Sequence, residues 1–136
     1  MTNIVLASHG ELAKGIYNTA KMIIGEFDCH VEVFCLYPGQ NPIDFAENLK
    51  SKILKSKDTW IIICDILGGS VHTALSQLTK CGNVIIFSGM NLNLVLEILL
   101  DKSNDFSEKH MNDIVEQACL GITCKNKLTI QKNDEF

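Results

Sequence analysis

The chain has 136 residues, a formal net charge of -4 and 46% hydrophobic residues, which suits one domain over residues 1–136 with a complete apolar core. All 12 basic residues are lysine, so the guanidinium fork that grips phosphates and base edges is missing and nucleic acid is not an expected partner. No apolar run approaches about 18 residues and no charged-then-apolar leader is present, so a soluble, cytoplasmic protein without a membrane span is expected.

The first element in chain order is NIVLAS, Asn3 to Ser8, a short apolar run read as a buried strand that delivers His9 and Gly10 to its carboxyl end. A helix follows in which Leu12, Ile16, Ala20, Ile23 and Ile24 share one face and Gly25 is the stop. VEVFCL, Val31 to Leu36, is a second strand. NPIDFAENLKSKIL then starts a second helix, with Asn41 as N-cap, Pro42 in the first turn and Asp44 where negative charge suits the helix dipole. WIIICD, Trp60 to Asp65, is the third strand, followed by the turn LGGS and a helix from about Ser70 that buries Ala74, Leu75 and Leu78. NVIIFS, Asn83 to Ser88, is the fourth strand. LNLVLEILL, Leu92 to Leu100, is apolar almost all round, which predicts burial on several sides, partly against another subunit. Met111, Ile114, Val115, Ala118 and Cys119 form the face of a fifth helix ending at Gly121, and a short last strand is expected at Leu128 to Ile130. The six cysteines include no C-x-x-C pair and mostly sit in apolar segments, so reduced, largely buried thiols are expected.

Alternating strands and helices of this length predict an α/β fold, because parallel strands need crossovers and the crossovers are right-handed. In the flavodoxin-like order 2-1-3-4, a doubly wound sheet with helices on both faces, a crevice opens at the carboxyl ends of strands one and three. His9, Asp65 and the turn from Leu67 to Ser70 fall there. A carboxylate bonded to one imidazole nitrogen fixes the tautomer and leaves the other nitrogen exposed. Gly68 and Gly69 would let backbone N–H groups approach an anion, and Ser70 would add a hydroxyl. Together these point to a phosphoryl group held on histidine, chemistry that calls for no metal and no cofactor.

VLASHGELAKGIYNTAKMIIGE, IIICDILGGS and VIIFSGMNLNLVLEIL, in this order and spacing, resemble the enzyme IIA domain of the mannose family of the bacterial phosphoenolpyruvate:sugar phosphotransferase system. The resemblance runs from Asn3 to about Asp101. It implies that His9 accepts a phosphoryl group from the histidine-containing phosphocarrier protein and passes it to a IIB subunit, with Asp65 supporting it and Ser70 touching the phosphoryl group. Because no IIA-to-IIB linker follows, IIB is expected to be a separate polypeptide, with the membrane IIC and IID subunits engaged indirectly. The resemblance also implies a homodimer, in which the strand at Leu128 to Ile130 could be exchanged as a short antiparallel edge.

Two departures from that family's pattern bear on the docking surface: Val71 and His72 stand where Pro-Phe is usual, and Asn93 replaces a proline. His72 lies about 200° around the helix from Ser70, so it is expected to face the rim, neutral but poorly oriented, and to contact the docking partner. Three alternative readings are a regulatory partner-binding module of the same fold without phosphotransfer, a flavin binder and a response-regulator receiver. The loop SHGELAKG lacks the hydroxyl-rich cradle that a flavin phosphate needs, and a receiver needs acidic residues after strand one for magnesium, where this chain has His9.

Overall fold

The computed structural model describes residues 1–127. Its elements are β1 (Thr2–His9), α1 (Leu12–Ile24), β2 (His30–Leu36), α2 (Pro42–Leu54), β3 (Thr59–Cys64), α3 (Ser70–Ser76), β4 (Val84–Phe87), α4 (Leu92–Leu100) and α5 (Glu108–Cys119). A 3-10 turn, Gln77–Cys81, continues α3. The four strands are parallel in the order β2-β1-β3-β4, the flavodoxin-like arrangement expected.

Side chains alternate across the sheet because successive residues of a strand face opposite ways. Ile4 and Leu6 of β1, Ile61 and Ile63 of β3 and Phe87 of β4 point to the layer built by α1, α4 and α5. Val5, Ala7, Trp60, Ile62, Cys64 and Val84 point to the layer built by α2 and α3. Both faces are therefore covered, which is why these strands read as continuous apolar runs. Ala7 pairs with Cys64, so β1 runs on past the end of β3 and carries His9 to the sheet's carboxyl edge.

Helix boundaries follow local capping chemistry. The Asn41, Asn91 and Ser107 side chains accept the N–H groups of Ile43, Leu94 and His110 at the starts of α2, α4 and α5. The expected apolar stripe of α1 is met in part. Ala20 is fully buried and Ile16 and Ile24 pack against the core, whereas Leu12 is 46% and Ile23 56% exposed and Ala13 takes a fully buried place. In α5, Met111, Ile114 and Ala118 are buried as expected, while Val115 and Cys119 are exposed. Helix α4 packs against both α1 and α5, and Leu94, Val95, Ile98 and Leu99 are buried within the one chain.

The cysteines also depart from expectation. Only Cys64 is buried; Cys29, Cys35 and Cys81 are half-buried, and Cys119 and Cys124 are exposed, all with free thiols. Cys29 and Cys35 lie just before and on the edge strand β2, where one side of the strand is uncovered, and Cys119 and Cys124 lie at and beyond the end of α5. The strand expected at Leu128 to Ile130 falls outside the described residues.

Candidate functional site

The turn from β1 into α1 is pinned from inside. Ser8 is fully buried; its Oγ accepts the Ala13 N–H at 2.8 Å and donates to the Gly10 carbonyl at 3.4 Å. Gly10 has φ 55°, in the left-handed region that glycine enters without penalty, and its N–H reaches the Leu36 carbonyl of β2 at 2.7 Å. Between these fixed points His9 has little backbone freedom.

Its side chain is held at both nitrogens. Nδ1 lies 2.7 Å from Asp65 Oδ2, and the same oxygen accepts the His9 backbone N–H at 2.7 Å. The other carboxylate oxygen accepts the Ile66 N–H at 2.9 Å. Burial on its own would raise the Asp65 pKa, but the backbone and imidazole N–H groups of His9 and the Ile66 N–H outweigh it and hold the carboxyl below its usual range. An ionised carboxylate only accepts hydrogen bonds, so Nδ1 carries the proton and Nε2 is left with a lone pair. Nε2 lies 3.0 Å from Ser70 Oγ, whose hydroxyl donates to it. The imidazole is 48% exposed and its carboxylate partner 10%, so a half-exposed ring stands on a largely covered anionic support.

The turn beside the ring requires both glycines, for different reasons. The Gly69 N–H bonds the Ile66 carbonyl at 3.2 Å and Gly68 has φ 77°, the signature of a type II turn with glycine at its third position. A Cβ on Gly69 would stand 2.7 Å from Ile66 Cγ2, which glycine avoids, and 3.5 Å from His9 Cε1, so the backbone here runs beside the imidazole. The Gly68 N–H donates to His72 Nδ1 at 3.2 Å. The Gly69 N–H is thus bonded within the turn and the Gly68 N–H to α3, and Ser70 Oγ is the donor that reaches His9.

His72 is not the loosely held ring expected. It is half-buried, its Nδ1 accepts from Gly68, and its Nε2 lies 3.4 Å from Ser76 Oγ, whose hydroxyl also bonds the His72 carbonyl at 2.6 Å. A turn N–H and a hydroxyl one helical turn away orient it without a carboxylate.

Ser8 was missed in the sequence, although a serine immediately before a His-Gly pair at a strand end is a readable cap. The surface around His9 was missed too. Leu12, Tyr37, Ile43, Ile66 and Leu67 are exposed apolar side chains on the loops and first helical turns at this end of the sheet. Tyr37 also donates to Glu11 Oε1 at 3.2 Å, tying the loop after β2 to the start of α1. A cavity of about 370 Å³ lies between β2 and α2, lined by Glu32, Phe45 and Lys52 among others, and one of about 480 Å³ includes Met1, Phe27, Asp101 and Phe106 at the opposite end of the sheet. Neither includes His9, whose imidazole is about half exposed. Among the described residues no cluster of three or more histidine, cysteine, aspartate or glutamate side chains could hold a metal ion, and no helix is long and apolar enough to cross a membrane.

Comparison with known proteins accords with this geometry. A family model described as "PTS system fructose IIA component" matches residues 3–117. The chain is 29% identical over 126 residues to the sorbose-specific EIIA component of the PTS system of Klebsiella pneumoniae, covering 88% of this chain and 91% of that protein. It is 27% identical over 105 residues to the mannose-specific EIIAB component of Escherichia coli K12, spanning 32% of that longer protein. The crystal structure of the PTS IIA protein associated with the fucose utilization operon of Streptococcus pneumoniae superposes with a TM-score of 0.75 at 30% identity, over 90% of this chain and 92% of that one.

Proposed function

Because the chain belongs to the family of PTS fructose IIA components, as a sugar-specific IIA component of the mannose type, we propose that His9 is its phosphoryl carrier. The observation that supports this most directly is the half-exposed imidazole itself, with Nδ1 tied to a largely covered carboxylate and Nε2 beside a hydroxyl. In the proposed step the Nε2 lone pair attacks the phosphorus carried by the histidine-containing phosphocarrier protein. The new N–P bond forms as the donor's N–P bond breaks, and the electron pair stays on the donor nitrogen. Asp65 stabilises the positive charge that develops on the ring, and the Ser70 hydroxyl turns from Nε2 to a phosphoryl oxygen. The reverse geometry then passes the group to a separate IIB subunit.

An open site suits this task, since both partners are proteins and each must bring its own reacting atom to His9. The exposed apolar side chains at Leu12, Ile43, Ile66 and Leu67 offer a docking rim, and a partner of basic surface would supply the cationic charge that a chain without arginine lacks. The protein acts as a homodimer on the cytoplasmic side, below the membrane IIC and IID subunits, and needs no metal for the transfer. Incubation with phosphoenolpyruvate, enzyme I and the phosphocarrier should give one acid-labile phosphate per chain, abolished by His9→Ala and retained by His72→Ala. Labelling that persists in His9→Ala and disappears in His72→Ala would overturn the assignment. A protein that binds the phosphocarrier yet gains no phosphate would instead be a regulatory module.

A further inference from the structure

The geometry points to His72 as a positioning residue for the chemistry at His9, acting as the hydrogen-bond acceptor that locks the central peptide of the Leu67–Gly68 turn. The inference rests on the phosphoryl-carrier reading for its consequence, though its structural half stands alone. In a four-residue turn the peptide between the two central residues is the unit that differs between type I and type II; reversing it moves the third residue between negative and positive φ. Here that peptide ends at the Gly68 N–H, Gly68 has φ 77°, and the N–H is received by His72 Nδ1 at 3.2 Å. No residue of the turn itself takes this hydrogen bond; the acceptor comes from the first turn of α3.

The lock matters because of what the turn abuts. Gly69, the next residue, passes so close to His9 that a Cβ there would lie in contact with Cε1 of the ring, and Ser70 follows directly with its Oγ 3.0 Å from Nε2. The Thr73 hydroxyl reaches the Gly68 carbonyl at 3.4 Å and the Thr73 N–H the Gly69 carbonyl at 2.8 Å, so carbonyls on this side of the turn are held by α3. With the Gly68 N–H also held, the peptides at Gly68 and Gly69 are anchored to the helix, and the Ser70 hydroxyl stays where the nucleophilic nitrogen needs it. Reversal of the Leu67–Gly68 peptide would change the path of the chain immediately before Ser70.

The arrangement also specifies a tautomer. Nδ1 of His72 can accept only while it carries no proton, so the ring proton of the neutral form sits on Nε2, facing Ser76 Oγ. His9 requires the opposite tautomer, with its proton on Nδ1 against Asp65. The two histidines near this turn thus have complementary assignments, one presenting a bare Nε2 to a phosphoryl donor and the other a bare Nδ1 to the backbone.

Long-range proton-nitrogen NMR correlation on the unphosphorylated protein should show His72 as the Nε2–H tautomer and His9 as the Nδ1–H tautomer at neutral pH. A proton on Nδ1 of neutral His72 would overturn the inference, whatever the protein's activity. His72→Asn keeps an acceptor oxygen in place of Nδ1, and His72→Leu keeps apolar bulk without an acceptor. Phosphoryl uptake from the phosphocarrier should fall about fivefold or more in kcat for His72→Leu, with KM within about twofold of the parent, and should be largely restored in His72→Asn. The Gly68 amide proton should exchange faster with solvent in the Leu variant only. Equal kcat in all three proteins, or a loss confined to the onward step to IIB, would overturn the positioning role, the latter in favour of a docking contact. If the parent protein takes no phosphate at all, the carrier reading fails, while the tautomer and exchange measurements still decide the turn.

Discussion

Asp65 uses both carboxylate oxygens, one shared by the backbone and ring of His9 and the other taken by the Ile66 N–H. Its depressed pKa carries a definite sign. A group held below its unfolded value supplies stability that is complete above about pH 4 and is lost as pH falls through the folded value. Asp65→Asn should therefore be less stable than the parent at pH 7, with the gap closing below about pH 4 when urea unfolding is followed across pH. The same substitution should slow phosphorylation of His9 by about ten- to a hundredfold without abolishing it, read as initial rates of label uptake, because Nε2 remains while ring orientation and charge support are lost. Cys64, next in the chain, is pushed up to about 12 by burial and then by the Asp65 charge. It should resist alkylation in the folded protein while Cys119 and Cys124 react readily, as mass mapping after brief iodoacetamide treatment would show.

At the scale of elements, the β1–α1 turn depends on one buried hydroxyl. Ser8→Ala removes the acceptor of the Ala13 N–H and should cost about 1–3 kcal/mol in denaturant unfolding, with a loss of phosphoryl transfer as His9 loses its fixed base. The strands and their order were readable because each strand is buried on both faces and so appears as an unbroken apolar run; the crevice then followed from topology. What could not be read was rotation about helix axes. Leu12 and Ile23 flank the side of α1 on which Ala13, Ile16, Ala20 and Ile24 meet the core, and apolar spacing alone does not separate flank from core. Nor does a His and Asp pair by itself mark a site. His110 Nε2 lies 3.0 Å from Asp101 and 3.1 Å from Ser103, yet this cluster ties the end of α4 to α5, and a single ring nitrogen meets both partners. At His9 the two partners take opposite nitrogens, which is the arrangement the proposed carrier role calls for. The role of His72 was unreadable for a related reason: its partner is a backbone N–H four residues earlier, and a sequence displays no backbone partners.

For the whole molecule, sedimentation at micromolar concentration should give the mass of a dimer; a 15.1 kDa species throughout would remove the homodimer from the proposal. The apolar character of α4 no longer argues for that assembly, since Leu94, Val95, Ile98 and Leu99 are buried within one chain. Met22 and Ile23 on α1 and Leu120 and Ile122 after α5 are among the exposed apolar side chains that a second copy would cover in the proposed dimer. The half-exposed ring of His9 has a further consequence. Asp65 and Ser70 flank its two nitrogens and Gly69 passes beside Cε1, so the ring can be approached from one open side. On the proposed function, donor and acceptor proteins would then take turns on the same ground, whichever is seated excluding the other, and traffic through the carrier would be set by how quickly spent partners leave. Sugar phosphorylation measured against rising IIB concentration should climb, peak and decline, as surplus IIB parks on carriers that have no phosphate to give.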